Sequence, residues 1–166
     1  MSKPVLVIGC GRGKLSVSSA VNRLYTGTMW KTYRAARERH EGADWPVRHP
    51  RLDVYVLSAK HGLASESKVL APYEKEAKTE SEIKQLADRI RRSSVPDRWP
   101  SRVYFAGSGR YYDALSRGLG LHGIEARNLA PLARGSGDQA RALKLFLAEY
   151  APQSFDLDAL IAKVTR

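Results

Sequence analysis

The sequence has almost no cysteine: of its 166 residues, only Cys10 carries a thiol. A single thiol excludes an internal disulfide and any metal site built from several cysteines. The four histidines, His40, His49, His61 and His122, are scattered and lack the spacing of metal-binding motifs. The sequence therefore predicts no bound metal and no cofactor.

Long apolar runs are absent as well, and none approaches the roughly 20 residues that span a bilayer. The first residues pass directly into a predicted strand, without the apolar core and cleavage site of a signal peptide. We therefore expect a cytoplasmic protein that does not associate with membranes. Hydrophobic residues make up 43% of the sequence, charged residues 27%, and no repeat or linker interrupts it, so residues 1–166 are expected to form one domain that acts as a monomer.

Acidic residues are scarce relative to basic ones. Asp and Glu number 17 against 28 Lys and Arg, which gives a formal net charge of +11. Such an excess favours a polyanionic partner, and nucleic acid is the first expectation. The alternative is a basic surface without a specific partner.

Three short apolar runs, rich in β-branched or aromatic residues, end in small residues followed by a cation. They occupy 5–8, 53–58 and 102–106, and they lead into Gly-Cys-Gly-Arg-Gly-Lys, Ala-Lys-His-Gly and Gly-Ser-Gly-Arg. Runs this apolar are typical of strands buried on both faces of a parallel sheet. A shorter fourth strand is predicted at 123–128.

Between these strands, apolar residues recur at helical spacing. Helices are predicted at 29–41, 81–92, 111–117 and 138–150, with a short helix starting within 16–20 and a last one at 155–164. Ser81 is the predicted N-cap of the second of these, and 59–79 forms a long excursion. The alternation predicts a three-layer α/β/α sandwich around a four-stranded, mostly parallel sheet.

Ligands of open parallel sheets bind beyond the carboxyl ends of the strands, so the strand-end loops are expected to share one site for a phosphate-bearing ligand. In the first loop, Arg12 and Lys14 are candidates for phosphate binding, and the alternative is a tight turn with surface cations. Cys10 lies where a nucleophile or substrate contact could lie, or is a small packing residue.

The second strand ends in the polar residues Ser58, Lys60 and His61. Polar groups at the end of a buried strand are costly unless they have a use, so these three are expected to contact the substrate. The alternative is a capped turn with Lys60 in solvent.

The third and fourth strands are followed by further candidates. Ser108 presents a hydroxyl to the ligand, and the guanidinium of Arg110 suits a phosphate; the alternative is an ordinary helix start. After the fourth strand, Leu132 could enter a DNA groove as a wedge with Arg134 on a phosphate, or the loop could be a plain connection.

Four segments together resemble a small family of bacterial and phage domains. They are Cys10 with Lys14 close behind, Leu-Tyr-Thr-Gly at 24–27, Ser-Ala-Lys-His-Gly-Leu at 58–63, and Pro-Tyr-Glu at 72–74. They cover roughly the first half of the chain, and the segment 58–63 is the most specific. The resemblance implies a fold related to the uracil-DNA glycosylase superfamily. A member of this family is similar to a bacterial anti-phage DNA glycosylase that removes glucosylated hydroxymethylcytosine.

The parallel with the superfamily is partial. Those enzymes place a water-handling Asp or Asn just after the first strand, where this chain has Gly11, Arg12 and Gly13. They also carry a His-Pro-Ser type motif before an intercalating loop, where 128–132 here reads Asn-Leu-Ala-Pro-Leu. The catalytic groups must therefore be sought elsewhere in the chain.

Cleavage of an N-glycosidic bond develops positive charge on the sugar, and a carboxylate can stabilise that charge or activate a water. We expect Glu74 to be this carboxylate, with Glu66 as its competitor; either could instead be a solvated loop acid. Tyr73 is expected to stack on the base, and Tyr25 to line the same pocket or belong to the core.

The sequence thus predicts a DNA glycosylase that flips out a modified base and leaves an abasic site, with no metal or cofactor. One alternative is an N-glycosidase or deoxyribosyltransferase-like enzyme that acts on free nucleotides or nucleosides. Another is a nucleic-acid-binding module without catalytic activity.

Overall fold

The computed structural model describes residues 2–151. Four parallel strands form its centre: β1 (Val5–Gly9), β3 (Asp53–Ser58), β6 (Arg102–Ala106) and β7 (Glu125–Asn128). A fifth strand, β4 (Gly62–Ser65), pairs antiparallel with β3 at one edge, and the order across the sheet is β4-β3-β1-β6-β7. A separate pair joins β2 (Ser19–Ala20) to β5 (Val69–Leu70).

Helices cover both faces of this sheet. The main helices are α2 (Thr28–Glu41), α3 (Glu80–Arg91), α4 (Gly109–Gly120) and α5 (Ser136–Glu149), and the short ones are α1 (Val21–Leu24) and a 3₁₀ turn at Val95–Arg98. Helices α2 and α5 pack together on one face, and α3 and α4 pack together on the other. The predicted α/β sandwich is confirmed.

The central strand β1 shows why the sheet needs both layers. Leu6 and Ile8 belong to the core under α2 and α5, whereas Val5 and Val7 belong to the core under α3 and α4. Successive side chains of a strand point to opposite faces, so an uninterrupted apolar run requires cover on each side.

The sheet has five strands rather than the predicted four. The extra strand β4 lies in the 59–79 excursion, directly after β3, and Gly62 makes the reversal possible with φ +66°. The short helix predicted to start within 16–20 begins only at Val21, because Ser19 and Ala20 pair with β5.

Helix α3 begins before the predicted N-cap at Ser81. Thr79 is the N-cap: its hydroxyl accepts the amide of Glu82, and the Glu82 carboxylate accepts the amide of Thr79 in return. The predicted helix at 155–164 lies outside the described residues. No helix within 2–151 has the length and apolar character required to cross a bilayer.

Candidate active site

A partly enclosed pocket within residues 2–151 lies beyond the carboxyl ends of β1 and β6. These neighbouring strands continue to opposite sides of the sheet, β1 toward β3 and β6 toward β7. Such a switch point is where ligands of open α/β sheets bind. The pocket has a volume of about 390 Å³ and includes Gly9, Cys10, Gly107 and Ser108 in its wall. A volume of this order is enough for a small ligand.

The two strand ends approach each other closely at this point. A Cβ added to Gly107 would lie 2.8 Å from the Phe105 ring and 3.2 Å from the amide nitrogen of Gly9, and its φ is +156°. Only glycine fits this position, which lets the pocket floor consist of backbone.

The loop after β1 is fixed by the Leu-Tyr-Thr-Gly turn. Lys14 and Tyr25 form an isolated antiparallel bridge, and the amide of Thr26 donates to the carbonyl of Gly13 at 2.8 Å. A Cβ on Gly13 would lie 2.4 Å from the Thr26 hydroxyl, so the loop packs directly on the turn. The two segments therefore form one rigid wall of the pocket.

Three helices present their first turns to the pocket. Its wall includes Thr28 of α2, Ser108 before α4 and Ser136 of α5. These three helix starts all lie within the described chain, and none of them has a hydrogen bond from a helix amide to the N-cap side chain. First-turn amides have no intrahelical partner and carry partial positive charge, so all three helix starts suit an anionic group.

Glu76 supplies a carboxylate to the pocket. One of its oxygens accepts from Arg12 Nε at 2.5 Å, and the other lies 3.1 Å from Lys78 Nζ. Lys78 first, and then Arg12, hold the pKa of Glu76 below its ordinary value. The carboxylate is thus ionised at neutral pH, which suits it to stabilise a cation and makes it a weak base.

Cys10 and Tyr111 line the pocket beside Glu76. The Tyr111 hydroxyl accepts the amide of Ala77 at 3.3 Å. Burial first, and then the neighbouring Cys10 thiol, raise the pKa of Tyr111. The phenol therefore keeps its proton at neutral pH and can donate it in a hydrogen bond.

Three of the predicted substrate residues form a buried chain of hydroxyls instead of lining the pocket. Tyr73 lies 2.5 Å from Ser58 Oγ and 2.7 Å from the hydroxyl of Tyr25. Ser58 and Tyr25 are fully buried, and Tyr73 is 7% exposed. In this structure none of the three lines the pocket, because their hydroxyls satisfy one another; for Tyr25 this is the predicted alternative of a core residue.

The other residues of the Ser58 segment close the turn between β3 and β4. Ser58 Oγ accepts the amides of Lys60 and His61 at 3.2 and 3.1 Å. The His61 ring packs edge-on against Tyr73, and its Nε2 is buried without a hydrogen-bond partner among the residues described. Lys60 is exposed. The predicted capped turn, the alternative to a substrate-binding role, is the arrangement observed.

Lys14 connects the hydroxyl chain to a shallow groove beside the pocket. Its Nζ lies 4.5 Å from the centre of the Tyr73 ring and donates to the carbonyl of Arg12 at 3.2 Å. The groove and the pocket share Arg12 and Glu76, and further charged side chains line the groove: Lys14, Glu74, Lys75, Lys78 and Glu82. A polar substituent on a ligand in the pocket would enter this groove.

The two acids predicted from the sequence lie in different places. Glu74 is exposed in the groove and does not line the pocket. Glu66 is 2% exposed and lies at the amino edge, the end of the sheet where the parallel strands begin. It lies there because β4 runs back along β3 and brings it beside His49. Glu66 is therefore excluded from the site.

The predicted phosphate-binding cations lie near the carboxyl edge, the end of the sheet where the parallel strands end. Arg12 lines the pocket, Arg110 lies in the first turn of α4, and Arg134 precedes α5; all three are exposed. Leu132, between β7 and α5, is 92% exposed. Of these four residues only Arg12 lies in the pocket wall, and the others lie on the segments that follow the carboxyl ends of β6 and β7.

Sequence reasoning missed Glu76, Tyr111, Ser136 and Gln139, all of which line the pocket. A signal existed for Tyr111, which lies one turn into a helix that follows a Gly-Ser-Gly strand end. No local signal separated Glu76 from Glu74, because which acid faces inward depends on the path of an irregular loop. Between residues 2 and 151, no three His, Cys, Asp or Glu side chains are grouped to hold a metal ion.

One family model matches the chain, over residues 5–144, and its description is a family of unknown function (DUF6884). The matched segment contains all the strands of the sheet and the whole wall of the pocket. No curated protein and no solved structure matches the sequence.

Proposed function

The chain belongs to this family of unknown function, and we propose that it is a DNA glycosylase that hydrolyses the N-glycosidic bond of a modified base. The observation that carries the proposal is the pocket in which ionised Glu76 lies close to three helix N-termini. The reaction develops positive charge on a sugar that is flanked by phosphates. A fixed carboxylate and unpaired amides match those two charges.

Glu76 has the central role in the proposed reaction. As the bond between C1′ and the base nitrogen breaks, its charge stabilises the cationic sugar, and water then adds to C1′. Its lowered pKa favours electrostatic stabilisation over proton abstraction. The proposal thus moves the catalytic role from Glu74 to Glu76, two residues further along the same loop.

DNA is the proposed partner because of the charge around the pocket. The net charge of +11 and the cations Arg12, Lys14, Arg110 and Arg134 suit the phosphates of a duplex. Leu132 is proposed to fill the space left by an extruded nucleotide, since it is 92% exposed.

The groove beside the pocket favours a base with a polar substituent. Its lysines and carboxylates can hydrogen-bond to the hydroxyls of a sugar attached to the base. Together with the four matching sequence segments, this supports a phage-type hypermodified cytosine as the substrate and a role in antiviral defence. A monomer in the cytoplasm is sufficient for this activity.

The first experiment uses three end-labelled duplexes: unmodified, uracil-containing, and carrying glucosylated hydroxymethylcytosine. Alkali reveals abasic sites, and we expect breaks only in the hypermodified DNA. Glu76→Gln should reduce the rate about 100- to 10,000-fold and leave DNA binding intact. Glu74→Gln is the matched control and should retain most of the activity. The reverse result for the two variants would return the catalytic role to Glu74.

A second candidate is an N-glycosidase or deoxyribosyltransferase-like enzyme that acts on free nucleotides. The observation in its favour is that three helix N-termini suit the phosphate of a mononucleotide without any duplex. Base release from mononucleotides, with none from DNA, would establish it. Salt-sensitive binding of all three duplexes without base release would indicate a DNA-binding module.

A further inference from the structure

Tyr111 is the one pocket residue among those described that combines a phenol with a position next to both Cys10 and the Glu76 segment. It is the third residue of α4 and half-buried, and its ring lies in the pocket wall. Its neighbour Tyr112 points elsewhere and donates to the carbonyl of Ala126 at 3.0 Å. Adjacent residues of one helix thus carry the same side chain in two different settings.

The hydrogen bonds of Tyr111 leave its own proton available. The hydroxyl oxygen accepts the Ala77 amide at 3.3 Å, and this bond uses a lone pair of the oxygen. The neighbouring Cys10 side chain, which helps to raise the pKa of Tyr111, offers the phenol proton only a weakly accepting sulfur. A stronger acceptor in the pocket would take this proton in its place.

The bond to Ala77 also fixes where the phenol lies relative to the carboxylate. Ala77 is buried and follows Glu76 in the chain. The Tyr111 hydroxyl is therefore hydrogen-bonded to the residue next to the one that carries the carboxylate. One group is a neutral donor and the other is an ionised acceptor. A bond that breaks into a cation and an anion needs both kinds of group on its two sides.

We propose that Tyr111 is a catalytic residue of the N-glycosidic cleavage, in which its phenol donates a hydrogen bond to the departing base. This inference rests on the function proposed above. The electron pair of the C1′–N bond passes to the base, and its developing negative charge accepts the phenol O–H. Water adds to C1′ and releases a proton to solvent, and the base takes up a proton from solvent as it leaves. Tyr111 keeps its own proton throughout.

The test compares Tyr111→Phe with Tyr112→Phe as the matched control, using the full chain and duplexes whose substituted bases span a range of leaving-group acidity. We expect Tyr111→Phe to slow excision about 10- to 100-fold, because a hydrogen bond to developing charge is lost. The defect should grow as the base becomes a poorer leaving group. DNA binding should stay near that of the wild type, and the thermal midpoint should fall by a similar amount in both variants, because each loses one phenol hydrogen bond to the backbone.

Three other outcomes have distinct meanings. Equal rates for the two variants would overturn the inference and leave the proposed glycosylase intact. A defect of the same size for every base would also overturn it, because Tyr111 would then only position Glu76 through Ala77. If the wild-type protein excises no base from any DNA, the proposed function fails and the inference fails with it.

Discussion

The two ends of the parallel strands each hold a glutamate near an arginine and a tyrosine, but one glutamate is buried and the other is partly exposed. At the amino edge, Glu66 accepts from the Tyr33 hydroxyl and the His49 amide, both at 2.5 Å, and lies beside Arg37. This carboxylate is 2% exposed. A buried carboxylate whose partners are all internal is a structural element, because it has no capacity left for a ligand.

At the carboxyl edge, Glu76 keeps the side chain partly exposed, and both of its cationic partners are exposed. The helices that begin there have no side-chain caps, whereas α3, which lies outside the pocket wall, has a complete capping box. Polar groups are thus left unpaired in the pocket wall, whereas those outside it, at Glu66 and at the start of α3, are paired.

The largest effect expected from this difference is on stability. Glu66→Ala removes the buried acceptor of the Tyr33 hydroxyl and the His49 amide and one of the two carboxylates beside Arg37, so it should lower the free energy of unfolding by about 3–5 kcal/mol. Glu76→Gln removes only exposed ion pairs and should change it by less than about 1 kcal/mol. Urea denaturation of both variants measures the difference. Equal losses would mean that the two edges are energetically alike.

A smaller effect should appear in the pH dependence of stability. Burial lowers the pKa of His49 to about 3, and its Nδ1 accepts the amides of Arg51 and Leu52, both at 3.1 Å. Because the folded state favours the neutral ring, its contribution is complete above pH 6.5 and is lost as the pH falls from there toward 3.

His49→Asn keeps an acceptor near the position of Nδ1 without the titration. Each pH unit below 6.5 should cost the wild type up to about 1.4 kcal/mol more than this variant. Unfolding free energies between pH 7 and pH 4 measure the slope, and His40→Asn is the control. An unchanged slope in His49→Asn would assign the acid sensitivity to other groups.

The sequence predicted the parts of the fold that depend on a repeating pattern. The strands around Leu6 and Phe105 are uninterrupted apolar runs, and α3 has Ile83, Leu86 and Ile90 on one face. Strand β4 escaped prediction because four residues, Gly-Leu-Ala-Ser, are too few to establish an alternation.

The candidate site was predicted as a location but only partly as a set of residues. Loop cations and strand ends converge as the topology requires. Ser58 was predicted to contact substrate as a polar group at a strand end, and Tyr73 as a ring that stacks on the base. Their hydroxyls instead bond to each other, and Tyr73 also bonds to Tyr25. Such mutual satisfaction depends on contacts between residues up to 48 positions apart, which no local pattern contains.

The smallest expected effect tests the contrast between helix starts. Ser108→Asp should give α4 a cap like that of α3, because an aspartate at this position can accept the amides of Arg110 and Tyr111. The variant should be more stable by about 0.5–1 kcal/mol and should bind DNA and inorganic phosphate more weakly, since the new carboxylate occupies the amides and repels anions.

Thr79→Ala removes the cap of α3 and is the control. Its free energy of unfolding should fall by about 0.5–2 kcal/mol while its DNA binding stays unchanged. Thermal midpoints with and without phosphate, and binding at fixed salt, measure both variants. If Ser108→Asp bound phosphate as the wild type does, the free helix starts would have no part in the site, and the contrast between the edges would rest on the carboxylates alone.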